Sequence, residues 1–497
     1  MSELIERLED WKHRFDPAIA ADLEGLLSQI AQERFKETAD LIRLHETLLF
    51  LRAYPLSARV ARLADEILFA FEGRLPEDLD PFEAPEVSGI AGTSLTAVFS
   101  YEVARRLRAI VSRNLEVAYD RYDEQDRMGP VVRRLLPLLK EDWPVEAHVP
   151  FEQWIAAAHR RRQSHLEWLL ANITDADSYD SMQVPITWRM NSSRYSRSRL
   201  RLPVHKLYLH REPLLRRADV SLQAELASSP LPVRQLTRTE AHRILDAIVA
   251  TSAMRYRELY GFSHPDESNV YHAALGRGVD LYYFGVPPEW RLPLRAYHAG
   301  MFFKNGVPAG YVELLSLFER AEVGFNLYYT FREGESGWLY ARLLRLFHQV
   351  LGVTCFSVDP YQIGHENAEA VDSGAFWFYR KLGFRPTSPD VSRLVAREEG
   401  RMRKQPGYRS SKKTLEKLAD GYLLYEMPGT ESADWDEFRV RTLAQTLQAG
   451  RSAKRRIVEE IARVKSSGPE TRYLRWTQQN TALRKKLVNW GTERAAT

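Results

Sequence analysis

The stretch Glu322–Phe347, EVGFNLYYTFREGESGWLYARLLRLF, decides how this chain is read. An apolar and aromatic run suited to a strand passes into a turn holding Gly334 and Gly337. Leu339, Leu343, Leu346 and Phe347 then recur at helical spacing. Glycines in such a turn let the backbone approach a ligand closely. The free N–H groups of the helix's first turn, with its dipole, suit a diphosphate. The dipole alone is worth roughly 0.3–2 kcal/mol, so several N–H bonds must act together. A plain turn and helix cap accounts for the same two glycines.

Working outward, the upstream residues supply more of a sheet. LPVRQL reads as an extended segment, and Thr237–Glu240 as a capping box opening a helix that runs to about Gly261. VDLYYFGV, LRAYHAGMFF and AGYVELLSLF read as strands, the last two joined by the hairpin signal Lys304-Asn305-Gly306-Val307. Downstream, the patterns give a strand over 353–359, a helix over 372–382 and a late strand, GYLLYEM. The order β-α-β-β-β-α-β-α-β indicates an α/β domain centred on a mixed sheet.

Asn367 follows the 353–359 strand, and Phe378-Tyr379-Arg380-Lys381-Leu382-Gly383-Phe384 closes the next helix. With the strand-turn-helix upstream, these residues resemble the GNAT N-acetyltransferase superfamily over about 160 residues. The resemblance implies an acyltransferase using acetyl-coenzyme A and a mixed sheet flanked by helices. It implies that the strand edge near Asn326, Leu327, Tyr328 and Tyr329 binds the pantetheine amides through its main chain. Gly334, Glu335, Ser336 and Gly337 would hold the pyrophosphate by their N–H groups, Asn367 would contact the pantetheine arm, and Tyr379 would be the general acid toward the departing thiolate. The family's loop reads Gln/Arg-x-x-Gly-x-Gly/Ala, whereas this one reads Phe331-Arg332-Glu333-Gly334-Glu335-Ser336, with Arg332 one place late.

An alkyl amine acceptor with a pKa of about 10.4 costs roughly 4–5 kcal/mol to neutralise at pH 7, so a base would help. Glu313 is the first candidate; Glu322, Asp359 and His365 follow, and Asp359-Pro360-Tyr361-Gln362 reads alternatively as shaping an acceptor pocket. A carboxylate on an amphipathic strand also fits a solvent-facing position. A second function class stays open, a non-catalytic acyl-CoA-binding sensor or scaffold.

The whole chain, of 497 residues, has an ordinary globular balance of 44% hydrophobic and 27% charged residues. Residues 1–172 read as an all-α helical region of one or two bundles, with Leu4, Leu8, Trp11 and Phe15 as its first apolar stripe. Residues 173–230 read as an irregular connector, where Arg189, Arg194, Arg197, Arg199 and Arg201 suggest an exposed loop or a phosphate-contacting arm. The GNAT-like domain occupies 231–390. Residues 391–497 are a helical, basic tail with 23 Lys and Arg against 13 Asp and Glu, leaving 1–390 net acidic. That tail reads first as a solvated helical face; through Lys412, Lys413, Lys454, Arg455, Arg456, Arg484, Lys485 and Lys486 it also suggests nucleic acid as a partner.

The N-terminus does not read as a secretion signal, no apolar run reaches 18 residues, and the lone Cys355 reads as a buried thiol. The expectation is a cytoplasmic protein without a membrane partner. No HExxH, paired CxxC, Walker GxxxxGK[ST] or GxSxG occurs, so no metal is expected.

Overall fold

A computed structural model describes residues 2–111, 114–136, 149–158, 163–191, 193–256, 258–287, 290, 296–317 and 319–431. The chain is a mixed helix-and-sheet protein built as two compact units. The first comprises Met1–Pro213, Arg238–His264 and Phe303–Pro308; the second comprises Leu214–Thr237, Pro265–Phe302 and the chain from Ala309 onward. These boundaries cut across the expected 231–390 domain, because the helix Arg238–Tyr256 groups with the first unit. There Asp246 accepts from Arg106 Nε at 3.0 Å, and the Met254 carbonyl accepts from Ser88 Oγ at 2.5 Å.

In the first unit, helices α1 (Glu3–Trp11), α2 (Ala20–Gln32), α3 (Thr38–Ala53) and α4 (Ala58–Phe69) pack on one another. The stripe of the sequence reading is partly confirmed, since Leu8 and Phe15 are buried. The all-α expectation for 1–172 is corrected. β1 (Ser94–Val98) and β2 (Leu115–Val117) both pair antiparallel with β3 (Pro185–Arg189). The partner strand comes from some seventy residues beyond β2 and some ninety beyond β1, so no local pattern announces it; Thr96 and Thr187 share a hydrogen bond between β1 and β3 at 2.8 Å.

The arginine-rich segment is an exposed connector only in part: Arg189 and Arg194 are exposed, whereas Arg197, Arg199 and Arg201 are drawn in. Arg197 is buried and holds both oxygens of Glu46 at 2.7 and 2.8 Å, Arg199 meets Glu72, Arg201 pairs with Asp65, and Arg189 pairs with Glu116. Burial of a guanidinium is tolerated because each charge is partnered.

The second unit carries a nine-stranded sheet in the order β11-β12-β10-β9-β8-β7-β6-β5-β4. The strands are β4 (Val233–Gln235), β5 (Val270–Gly276), β6 (Val279–Gly285), β7 (Ala296–Lys304), β8 (Val307–Leu317), β9 (Arg320–Leu327), β10 (Cys355–Val358), β11 (Arg385–Pro386) and β12 (Leu423–Glu426). β5 and β11 were not foreseen. Asn305 and Gly306 turn β7 into β8 with φ of +48° and +80°, as their residue types require. The registers of β4–β5, β5–β6 and β8–β9 are antiparallel, whereas β9 and β10 run parallel, joined by the helix Ser336–Leu351 that ends on Gly352 at φ +69°. The helix expected over 372–382 is two, Ala368–Ser373 and Ala375–Lys381, because Gly374 adopts φ +68° between them.

In the tail, helices Pro389–Lys404 and Lys412–Leu418 precede β12, which inserts between β10 and β11. Lys454, Arg455, Arg456, Arg484, Lys485 and Lys486 lie outside the described residues. Among the described residues no helix is long and apolar enough to cross a membrane, and Cys355 is buried as expected.

Candidate functional site

The site begins where two parallel strands part. Cys355, Phe356 and Ser357 of β10 stand beside Arg320, Ala321 and Glu322 of β9, and the pairing then stops. β10 ends because Asp359 caps a short helix, its Oδ1 accepting from Tyr361 N–H at 2.9 Å, and Pro360 at the first helical position has no N–H to offer a ladder. β9 continues from Val323 to Leu327, held on its other side by β8.

Which amides face the gap follows from two hydrogen bonds. Tyr328 N–H donates to Ala309 O, and Ala321 O accepts from Ser357 Oγ. Even-numbered residues of β9 therefore turn their amides to β8, and odd-numbered ones turn theirs to the side β10 has left. Phe325 and Leu327 present main-chain groups to the gap. Asn326 and Tyr328, expected to do so, do not. Asn326 lines the gap all the same, whereas Tyr328 is buried with its hydroxyl on Met301 Sδ, and Tyr329 points to solvent at 67% exposure.

The gap is a cleft of about 370 Å³ reaching from Phe325 to Ser336, Asn367 and Tyr379. Tyr379 is only 4% exposed, and its ring packs against Tyr340 and Phe384. Its hydroxyl makes no hydrogen bond among the described residues, and burial pushes the phenol's pKa upward. Behind it, Tyr340 is fully buried, its hydroxyl also unpartnered. Asn367 caps the Ala368–Ser373 helix: Oδ1 accepts from Ala370 N–H at 3.1 Å, and Nδ2 donates to Tyr361 O at 3.0 Å. It is thus a wall of the cleft whose amide is already engaged. Arg332 reaches the Leu327 carbonyl and forms an ion pair with Glu369 across the cleft mouth.

The turn departs furthest from expectation. Gly334 gives its N–H to Phe331 O at 2.9 Å, so a tight 3₁₀ turn uses it. Glu335 is 3% exposed, with its carboxylate turned to Arg277 at 2.6 Å and to Leu215 N–H at 3.1 Å. An ideal Cβ on Gly337 would stand 3.2 Å from Arg217 Cα. Of the four turn residues, Ser336 alone lines the cleft. The close approach that Gly337 permits is taken by the chain itself.

A second cavity, about 180 Å³, lies beside the first, and Gln362 lines both. Its walls include Glu313, Glu322 and Asp359, three of the four candidate bases; His365 is exposed and lines neither cavity. Glu313 Oε1 accepts from Tyr297 OH at 2.5 Å, and Asp359 Oδ2 accepts from Tyr422 OH at 3.2 Å. Gln362, with Asp359 and Tyr361, lines the second cavity as the acceptor-pocket reading of Asp359–Gln362 expected, whereas the Phe325 amide and Tyr297 had no sequence signal, since each matters only through where β10 diverges. Comparison with family models, with curated proteins and with solved structures finds no match to this chain.

Proposed function

We propose that the second unit is an acyltransferase of the GNAT type, moving an acetyl group from acetyl-coenzyme A to a small cationic amine. One observation carries the reading: two cavities meet at Gln362 where β9 and β10 part, one holding an unpartnered buried phenol and the other three carboxylates. The amides of Phe325 and Leu327 suit the pantetheine arm as an added strand. The carboxylate cavity suits a protonated amine and favours its entry.

In this reading Glu313, oriented by Tyr297, takes the proton that makes the amine nucleophilic, directly or through water. The amine nitrogen bonds to the thioester carbonyl carbon, and the carbon–sulfur bond breaks. Tyr379 hydrogen-bonds the departing sulfur and passes it the hydroxyl proton, which solvent returns to the phenol. A raised phenol stays protonated wherever an amine reacts, so it remains a hydrogen-bond donor to the sulfur throughout.

Calorimetry with acetyl-coenzyme A, followed by mass spectrometry of products from a panel of alkyl amines, tests the proposal. Transfer to a cationic amine supports it, and absence of coenzyme binding would sink it. A second reading, a coenzyme-binding sensor without turnover, is favoured by the covering of Gly337, and binding with no product on any amine would establish it.

A further inference from the structure

Among the described residues, Gln362 alone lines both the cleft and the second cavity. It sits on the short helix Pro360–Ile363, which Asp359 caps, and its N–H donates to Asp359 O at 3.0 Å. Buried Ile363 anchors that helix in the core. Along one face of β9, Asn326 lines the cleft and Glu322 lines the cavity, with Gly324 between them. An ideal Cβ on Gly324 would stand 4.0 Å from Gln362 Nε2. The bare strand at Gly324 is therefore the floor of the junction, and the Gln362 amide lies over it.

Most side-chain donors near this junction are committed. Tyr297 gives its hydroxyl to Glu313, and Tyr422 gives its own to Asp359. Asn367 Nδ2 is held by Tyr361 O, and Arg332 is taken by Leu327 O and Glu369. Of the donors left over, Ser336 belongs to the glycine turn and the Tyr361 ring is 54% exposed. The half-buried Gln362 amide makes no hydrogen bond among the described residues. It offers two N–H groups and carries no charge.

A neutral donor suits this place. When an amine nitrogen bonds to a thioester carbonyl carbon, the carbonyl π pair moves to oxygen. That oxyanion forms beside Glu313, Glu322 and Asp359, where negative charge is disfavoured. A donor aimed at the oxygen offsets the penalty, and one such donor is typically worth about 10²–10³-fold in turnover. A cation in the same position would pair with the nearby carboxylates and disable the base.

We propose that Gln362 is the acyl-carbonyl ligand at the junction: its Nε2–H donates to the thioester oxygen, and the bond strengthens as the oxyanion forms. The electron pair returns to the carbonyl as the carbon–sulfur bond breaks, and Gln362 neither gains nor loses a proton. The identity of the thioester rests on the acyltransferase reading above. The Phe325 amide faces the same gap but, being main chain, is untouched by substitutions at Gln362.

Infrared difference spectra of acetyl-coenzyme A, isotope-labelled at the carbonyl carbon and with no amine present, read the contact in the wild type, Gln362→Met and Gln362→Glu. Both substitutions keep the side chain's length and remove its donor, and thermal unfolding controls for folding. The carbonyl band should move to lower frequency on binding to the wild type and return toward its solution position in both variants. Coenzyme affinity should stay unchanged, and with an accepted amine kcat of Gln362→Met should fall about 10²–10³-fold. A band shifted in the wild type and restored in the variants, with no amine acetylated, keeps Gln362 as the carbonyl ligand and removes the acyltransferase reading in favour of a sensor. A band that is equally placed in all three proteins, with turnover retained by Gln362→Met, overturns the proposal and leaves the acyltransferase reading. No binding of acetyl-coenzyme A removes both.

Discussion

Glu313 stands directly across from Gly324 in the β8/β9 ladder, one diagonal step from Glu322 on the same face. Opposite residues share a face, and diagonal neighbours lie within reach of long side chains. Gly324, having no side chain, leaves the space between the two carboxylates and Gln362 open. Glu313→Gln should leave acetyl-coenzyme A affinity unchanged and lower kcat/KM by about 10²–10³-fold at pH 7. The deficit should shrink as pH rises toward the amine's own pKa, where no base is needed. A deficit that stays constant from pH 7 to 10 would remove Glu313 from the chemistry.

Tyr379→Phe and Tyr340→Phe separate two phenols that touch. The first should lower turnover by about 10²–10⁴-fold with little change in Tm, because the ring still packs. The second removes a buried hydroxyl with no partner, a group that typically costs about 1–3 kcal/mol. Tyr340→Phe should therefore raise unfolding free energy by about 1 kcal/mol in denaturant titrations. A loss of stability would mean that the hydroxyl is satisfied by ordered water.

Gly306 is the position where a methyl group does most harm. It sits at φ +80°, an added Cβ would overlap the Leu202 carbonyl, and its own carbonyl accepts from Leu202 N–H at 2.8 Å. Gly306→Ala should cost more than about 2 kcal/mol in urea unfolding. A cost under about 0.5 kcal/mol would show that the hairpin tip relaxes freely.

Acid should weaken the first unit before it titrates ordinary carboxylates. His45 is fully buried, and chiefly for that reason its pKa falls to about 4, against about 6.5 when exposed. The unfolded chain takes up a proton between those values and the folded chain does not, so stability is lost as pH drops from about 6.5 to about 4. At about 1.4 kcal/mol per unit, the loss is on the order of 3 kcal/mol. Burial opposes ionisation of Glu46, but Arg197 and His45 outweigh it and hold that carboxyl well below its usual range. Its contribution is lost only further into acid. Urea titrations at pH 7.5 and 5 should differ in the wild type and converge in His45→Gln; equal slopes with pH in both would remove His45 as the source.

The strands β6 to β9, the Asn-Gly hairpin and the helix after Gly337 were legible because each has a local cause: alternation, turn chemistry or a repeat of 3.6 residues. β1, β2 and β3 were not, because a short strand exists only when a distant one pairs with it. Arg197, Arg199 and Arg201 read as part of an exposed connector or phosphate-contacting arm for the same reason, since Glu46, Glu72 and Asp65 that partner them lie more than a hundred residues away.

The site divides along the same line. The resemblance marked Tyr379 and Asn367, and residue type marked the three carboxylates, as chemically capable, because a phenol, an amide and a carboxylate keep their character wherever the chain puts them. Direction and company were decided by packing. The parity of β9 selects Phe325 and Leu327 over Asn326, a capping role occupies Asn367, and Arg217 closes over Gly337. A side chain's chemistry is written in one residue, whereas its access to a ligand depends on what every neighbouring segment leaves uncovered.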